Sequence, residues 1–242
     1  MSTAVEVPRS NISAELLQHV QSLCELGRDF HARGWSLATS SNYSVVLNRD
    51  PVELLVTASG RHKNRLTERD FVRVNAAGES LGSGAPPASA ETLLHTAIAA
   101  HRHVGAVLHT HSVWATVLSD HFFNRGGVEI SGFEMLKGLD RVGTHEHNEW
   151  LPIFANTQDI SQLADKVASL LADPVGAIQH GFLIHRHGLY TWGEDLEAAR
   201  RHVEALEFLL ECRGRQLLLG GAAVRPKDHI VDSSEEYASL DE

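Results

Sequence analysis

The first regular pattern along the chain is helical. Leu16, Leu17, Val20, Leu23, Leu26 and Phe30 recur at mostly three- and four-residue spacing, with Ser13 placed to cap the segment and Gly34 to stop it. The period then shortens. Tyr43 to Leu47, Leu54 to Thr57 and Phe71 to Asn75 are short β-prone runs, separated by polar turns at 37–42 (LATSSN) and 58–63 (ASGRHK). A small-residue loop from Gly82 to Pro87 leads to Ser89, placed to cap a helix reaching His101. Val107 to His109 is a buried strand running into His-Thr-His, followed by a short helix from Val113 to Ser119. Val128 to Ile130 and Ile153 to Ala155 are strand-like. Ile160, Leu163, Val167 and Leu170 mark a helix closed by Pro174. Ala177 to Ile184 is a strand entering His185-Arg186-His187-Gly188, and Leu196, Ala199, Val203, Leu206 and Leu210 mark the last long helix, ended by Gly220-Gly221.

Helices and strands alternate with no repeat and no obvious linker. The economical architecture is one α/β domain, helices on both faces of one central sheet, over residues 12–221. Residues 1–11 are expected to be a loose arm and 222–242 a polar, acidic tail.

The composition narrows the function. Apolar residues make up 43% of the 242, enough for a packed core, and the net charge is −10 with no long basic run, which argues against nucleic acid as a partner. No stretch approaches the ~20 apolar residues of a spanning helix, and the first 30 residues show no charged-then-apolar signal pattern. Cys24 and Cys212 lack the spacing of a zinc ribbon or redox pair. They read as reduced, packed thiols, which fits a cytoplasmic protein.

The 16 histidines are nearly as many as all Lys and Arg (21), so their positions have to separate chemistry from background. His109 and His111 stand two apart at the end of an apolar strand, where i and i+2 share a side and can reach one ion. A third ligand is expected at His187 or, two residues before it, at His185, with Gly188 allowing a tight turn. Three histidines with an open fourth position describe a catalytic zinc site rather than a structural one, although iron, nickel and copper also accept imidazole. His145 and His147 repeat the spacing without a strand leading into them and are weaker candidates. His95 and His101 lie six apart on a helix, a poor fit to a helical metal pair.

Two carboxylates stand near these motifs. Glu91 falls in the first turn of the Ser89 helix, where the helix dipole favours an acid. Glu134 sits among apolar residues between Gly132 and Gly138, where desolvation is expected to raise its pKa and suit it to proton transfer. Small hydroxyl and amide donors in 39–42 (TSSN), in 57–60 (TASG) and at Ser89 could hold a phosphate, though such residues populate turns anyway.

At these residues the sequence resembles a known family. Ser89-Ala90-Glu91-Thr92-Leu93-Leu94-His95, His109-Thr110-His111-Ser112 and His187-Gly188 resemble the class II sugar-phosphate aldolase and adducin-head family, from about Ile12 to Leu218. Gly132-Phe133-Glu134-Met135-Leu136-Lys137-Gly138, Asn156-Thr157-Gln158-Asp159-Ile160 and His187 to Gly193 (HGLYTWG) are similar to its dehydratase branch. The resemblance implies a three-layer α/β/α fold around a mixed, largely antiparallel sheet, assembled as a homotetramer. It implies one zinc ion per subunit on His109, His111 and His187, and a phosphate cradle at Asn42, Gly60 and Ser89 with Thr39 and Ser59 nearby. It also implies a lyase that removes water from a sugar phosphate, with Glu134 as acid/base and Glu91 beside it or in its place. The aldolases have Ser-Ser-Glu where this chain has Ser89-Ala90-Glu91, so one phosphate hydroxyl is missing. An aldolase or 4-epimerase is the nearest alternative, and a non-enzymatic adducin-head-like assembly module is the second.

Overall fold

The computed structural model describes residues 14–173 and 178–220. The expected arm, the Ser13 cap, the Pro174 stop, Ala177, Gly221 and the acidic tail lie outside them. Among the described residues, five α-helices surround a nine-stranded sheet: α1 (Ala14–Ala32), α2 (Thr92–His101), α3 (Val113–His121), α4 (Ile160–Leu171) and α5 (Leu196–Leu218). The strands are β1 (Asn42–Arg49), β2 (Val52–Thr57), β3 (Phe71–Asn75), β4 (Ser80–Leu81), β5 (Ala106–Thr110), β6 (Gly127–Ser131), β7 (Asn148–Phe154), β8 (Gly181–Ile184) and β9 (Gly188–Gly193). Their order is β4-β3-β2-β1-β5-β9-β8-β7-β6. Among the described residues only β7 and β8 run parallel, so the sheet is mixed and largely antiparallel, as expected.

Side-chain alternation along the strands makes the layers. In β5, Val107 joins the core under α2 and α4, whereas Ala106 and Leu108 join the core under α1 and α5. In β9, Tyr190 and Trp192 face the first layer and Leu189 the layer of α3 and α5. Period-two alternation between two buried faces explains why β5 is fully buried and uniformly apolar up to its histidine. Among the described residues no helix is long and apolar enough to cross a membrane.

Two expectations need correction. The helix expected from Ser89 begins at Thr92, and its N-cap position, Glu91, makes no side-chain capping bond. Ser89 Oγ accepts instead from the Glu91 N–H at 3.3 Å, and the Ser89 carbonyl from the Thr92 N–H at 3.0 Å. The preceding turn uses Ser89 before the helix starts, which releases the Glu91 side chain. Gly188 is not the tight turn either. The left-handed residue there is Arg186 (φ 52°), and Gly188 opens β9, where an added Cβ would strike the Thr110 carbonyl oxygen and crowd the His109 ring.

Gly188→Ala should therefore destabilise the protein by roughly 1–3 kcal/mol, the range for overpacking. The measurement is a urea midpoint. An unchanged midpoint would mean that β5 and β9 can part to admit a methyl group.

Candidate metal centre

His109 sits at the end of β5, fully buried, opposite Tyr190 of β9 and Asn42 of β1 in the strand registers. Its Nδ1–H donates to the Leu189 carbonyl at 2.9 Å, and its ring stacks on Tyr190 at 4.0 Å between centroids. With Nδ1 carrying the proton, Nε2 keeps a lone pair. Thr110 points to the other face, where its hydroxyl donates to Glu207 Oε1 at 2.8 Å. Burial pushes the Glu207 carboxyl up to about 7. The next residue, His111, returns to the His109 side, beyond the strand end. Ser112 stops the extended run by capping α3, accepting from the Ala115 N–H at 3.0 Å.

His187 arrives from the turn between β8 and β9. The three Nε2 atoms converge: His111 Nε2 is 2.8 Å from that of His109 and 3.1 Å from that of His187. His185 lies outside this group. Its Nε2 is 2.9 Å from Asp120 Oδ1, and its ring stacks on Phe123. The tertiary structure thus chooses between the two third-ligand candidates.

Glu91 closes the group. Its Oε1 is 3.2 Å from His187 Nε2 and its Oε2 is 3.9 Å from His109 Nε2. Asn42 Nδ2 donates to Oε2 at 2.7 Å, and Asn42 Oδ1 accepts from His95 Nε2. Ser44 Oγ lies 2.8 Å from His95 Nδ1. His95 thereby fixes the Asn42 amide, and Asn42 fixes Glu91. Sequence reasoning discounts His95 as a ligand and misses this orienting role, because its partners come from β1, 51 and 53 positions away.

Burial, and then the neighbouring histidines, hold the His109 pKa well below the usual imidazole value. Burial, His187 and Lys63 pull His111 down to about 3, and burial lowers His187 against the pull of Glu91. Three neutral imidazoles aim their Nε2 atoms at one another beside a carboxylate. Lone pairs at such distances repel unless a cation lies between them, so the donor set fits a divalent metal ion with nitrogen preference.

Glu134 is elsewhere. It opens a 3-10 turn (Glu134–Gly138), its side chain is 69% exposed, and it pairs with Lys137 Nζ and, at 3.6 Å, His145 Nδ1. The Lys137 hydrogen bond holds its carboxyl below the usual range, which corrects the expected upward shift. The apolar neighbours mislead the sequence reading: Leu136 buries itself in the core, while Glu134 and Met135 turn outward.

The expected phosphate donors form a partial arrangement. Ser59 N–H donates to the Pro87 carbonyl at 3.0 Å, joining the 57–60 turn to the loop before Glu91. Gly60 has φ +69° with open space where a Cβ would be. Asn42 is already engaged with Glu91 and His95, and Thr39 is exposed. Lys63, which the sequence offers only as part of a turn, is a buried cation. Its ammonium donates to the Arg61 carbonyl at 2.7 Å, and burial, opposed by Glu91 and Asp70, brings its pKa to about 8. A buried lysine is invisible to periodicity in a polar turn.

Fold and site together define the class. Residues 21–213 match the family described as Class II Aldolase and Adducin N-terminal domain, and the chain belongs to that family. Two curated relatives bear the name methylthioribulose-1-phosphate dehydratase. The protein of Sorangium cellulosum (strain So ce56) is 45% identical over 215 residues, 88% of this chain and 94% of that protein. That of Azotobacter vinelandii (strain DJ / ATCC BAA-1303) is 46% identical over 205 residues, 84% and 97% of the two chains. Among solved structures, an L-fuculose-1-phosphate aldolase from Thermus thermophilus superposes with a TM-score of 0.66 at 24% identity, covering 85% of this chain and 98% of that one. At that identity the likeness establishes the fold.

The lowered histidine pKa values carry a sign. A histidine whose folded pKa lies below its unfolded value of about 6.5 binds fewer protons when folded, so stability falls as pH drops below that value. His95, held at about 3 by burial, behaves like His109, His111, His187 and His202. Glu207 and His180, both shifted up, act with the opposite sign. Metal-free protein should lose net stability from about pH 6.5 downward, each neutral histidine contributing a slope of up to ~1.4 kcal/mol per pH unit. Urea midpoints between neutral and mildly acidic pH measure it. A flat profile would show that the histidines are not held neutral.

Proposed function

We propose that the chain is a zinc-dependent hydro-lyase converting 5-methylthioribulose 1-phosphate to 2,3-diketo-5-methylthiopentyl 1-phosphate in methionine salvage. The observation carrying this reading is the convergence of three Nε2 atoms beside Glu91, in a chain nearly half identical to named dehydratases. His109, His111 and His187 would hold the metal. A zinc ion, when bound, supplies Lewis-acid stabilisation of the charge that develops on a substrate carbonyl oxygen, worth several kcal/mol.

The remaining steps belong to side chains. The C3 proton is acidic because it lies alpha to the C2 carbonyl, and a carboxylate removes it. The C4 hydroxyl leaves as water, taking up the proton the carboxylate removed from C3, and the resulting enol becomes the 2,3-diketone by moving its hydroxyl proton to C4. Glu91 is the carboxylate that the fold holds against the histidines, with Asn42 and His95 fixing its orientation. We assign it proton removal at C3. Glu134, exposed and paired with Lys137 away from the histidines, is the alternative acid/base, supported by the family resemblance of its Gly132–Gly138 segment. Ser89, Ser59 and the Gly60 N–H, with Thr39 and Asn42, form the proposed phosphate cradle, and Lys63 adds positive charge on the same turn. Exposed Val113, Val117 and Phe208 offer apolar surface to the tetramer that the family resemblance implies. The two cysteines, neither of them in a disulfide, favour a cytoplasmic setting.

Turnover of 5-methylthioribulose 1-phosphate by purified protein, with product identification, tests the reading. One diketone supports dehydration, and two carbon fragments would establish aldol cleavage instead. Glu91→Gln should lower kcat by 100-fold or more, within the ~10²–10⁴ range of acid–base catalysis, while zinc is retained. If Glu134→Gln is the damaging change and Glu91→Gln keeps near-normal kcat, the roles are reversed. His109→Ala and His111→Ala should each lose the zinc equivalent held by the His109, His111 and His187 group, together with activity.

A further inference from the structure

The second His-x-His pair, His145-Glu146-His147, has no part in the chemistry above, yet the fold completes a cluster around its second member. His147 and Glu149 stand two apart at the entry to β7, and His180 immediately precedes β8, the parallel neighbour of β7. Glu149 is 1% exposed and His180 8%, whereas His147 lies at the rim. Glu149 Oε2 is 2.8 Å from His147 Nε2 and 2.8 Å from His180 Nδ1.

The hydrogen-bond accounting does not close without a positive centre. His180 Nε2 is 2.8 Å from the Asp140 carbonyl oxygen, which can only accept. A neutral imidazole has one N–H. Given to Asp140, it leaves the Nδ1 lone pair against a carboxylate oxygen. Meanwhile Glu149 Oε1 is buried with no hydrogen-bond partner among the described residues, so one oxygen of the carboxylate is crowded and its twin is bare. An orphaned oxygen on a buried carboxylate is costly. A divalent cation resolves both faults, taking the Nδ1 lone pair and both carboxylate oxygens.

We propose that His147 Nε2, His180 Nδ1 and the Glu149 carboxylate form a second metal site, for an ion of the zinc class. The three ligand residues offer atoms within 4.8 Å of one another. Ligands about 2.0–2.1 Å from a shared tetrahedral ion stand ~3.3 Å apart, so loading requires a small opening of the 2.8 Å contacts. Water reaching the rim at His147 completes the coordination. The Asp140 carbonyl fixes the His180 tautomer, as outer partners of metal-binding histidines do. The Asp140 N–H donates to His202 Nε2 at 3.0 Å, and His202 Nδ1–H donates to the Trp192 carbonyl at 2.7 Å. The ion would therefore fasten the loop between Gly138 and β7 to β9 and α5. Its role is structural, and it does not depend on the function proposed for the first site.

The test counts metal. Full-length protein stripped by chelator and titrated with zinc should bind two equivalents. His147→Gln should bind one, retained on His109, His111 and His187. The double variant His109→Ala/His111→Ala should also bind one, with a rise in Tm on loading. Cobalt added to that double variant should give visible absorption bands that are lost when His147→Gln is added. A single equivalent in the otherwise unaltered protein, with none in the double variant, would overturn the proposal and leave a proton on His180 as the positive centre. Where His147→Gln fails to fold, the count in the unaltered chain and the double variant decides.

Discussion

The site depends on the antiparallel pairing of β5 with β9. It sets Leu189 where its carbonyl takes the His109 Nδ1 proton, and Tyr190 where its ring covers the imidazole. That hydrogen bond and the stacking on Tyr190 orient the ring so that Nε2 faces His111, and the bond sets the tautomer that leaves Nε2 its lone pair. The same pairing requires Gly188, because no side chain fits between the two strands beside Thr110. The histidine cluster and the middle of the sheet are one construction.

The alternation of β5 divides its labour. His109 points into the layer of α2, where Asn42, His95 and Glu91 form a connected polar set. Thr110 points into the layer of α5 and is held by Glu207. Polar groups buried on both faces of one strand would be destabilising unless paired, and the partners come from β1, α2 and α5. β1, α2 and α5 therefore all bear on the position of one histidine.

Much of this was legible in the sequence. The apolar run into His109-Thr110-His111 announced a strand end with two histidines on one side, and helical periods located α1, α4 and α5. Other parts were not legible. β9 reads as a motif rather than a strand, because glycines at both of its ends mimic turns; they are there for close approach to Thr110 and to α5. Glu91 and Glu134 could not be ranked, since what distinguishes them is contact with their surroundings. Glu91 meets Asn42 and His187, far along the chain, while Glu134 meets Lys137 and His145 on the surface.

The sequence by itself determined the alternation of helices and strands, the histidine pair on one side of β5, and the kind of donors available. Those are local properties, fixed by period and residue type. The tertiary structure alone decided that His187 rather than His185 meets His109 and His111, that Glu91 is the carboxylate at those histidines, and that His147 meets His180 across Glu149. Each depends on strand order and register, which arise from packing two faces of a sheet at once and leave no mark at any single position.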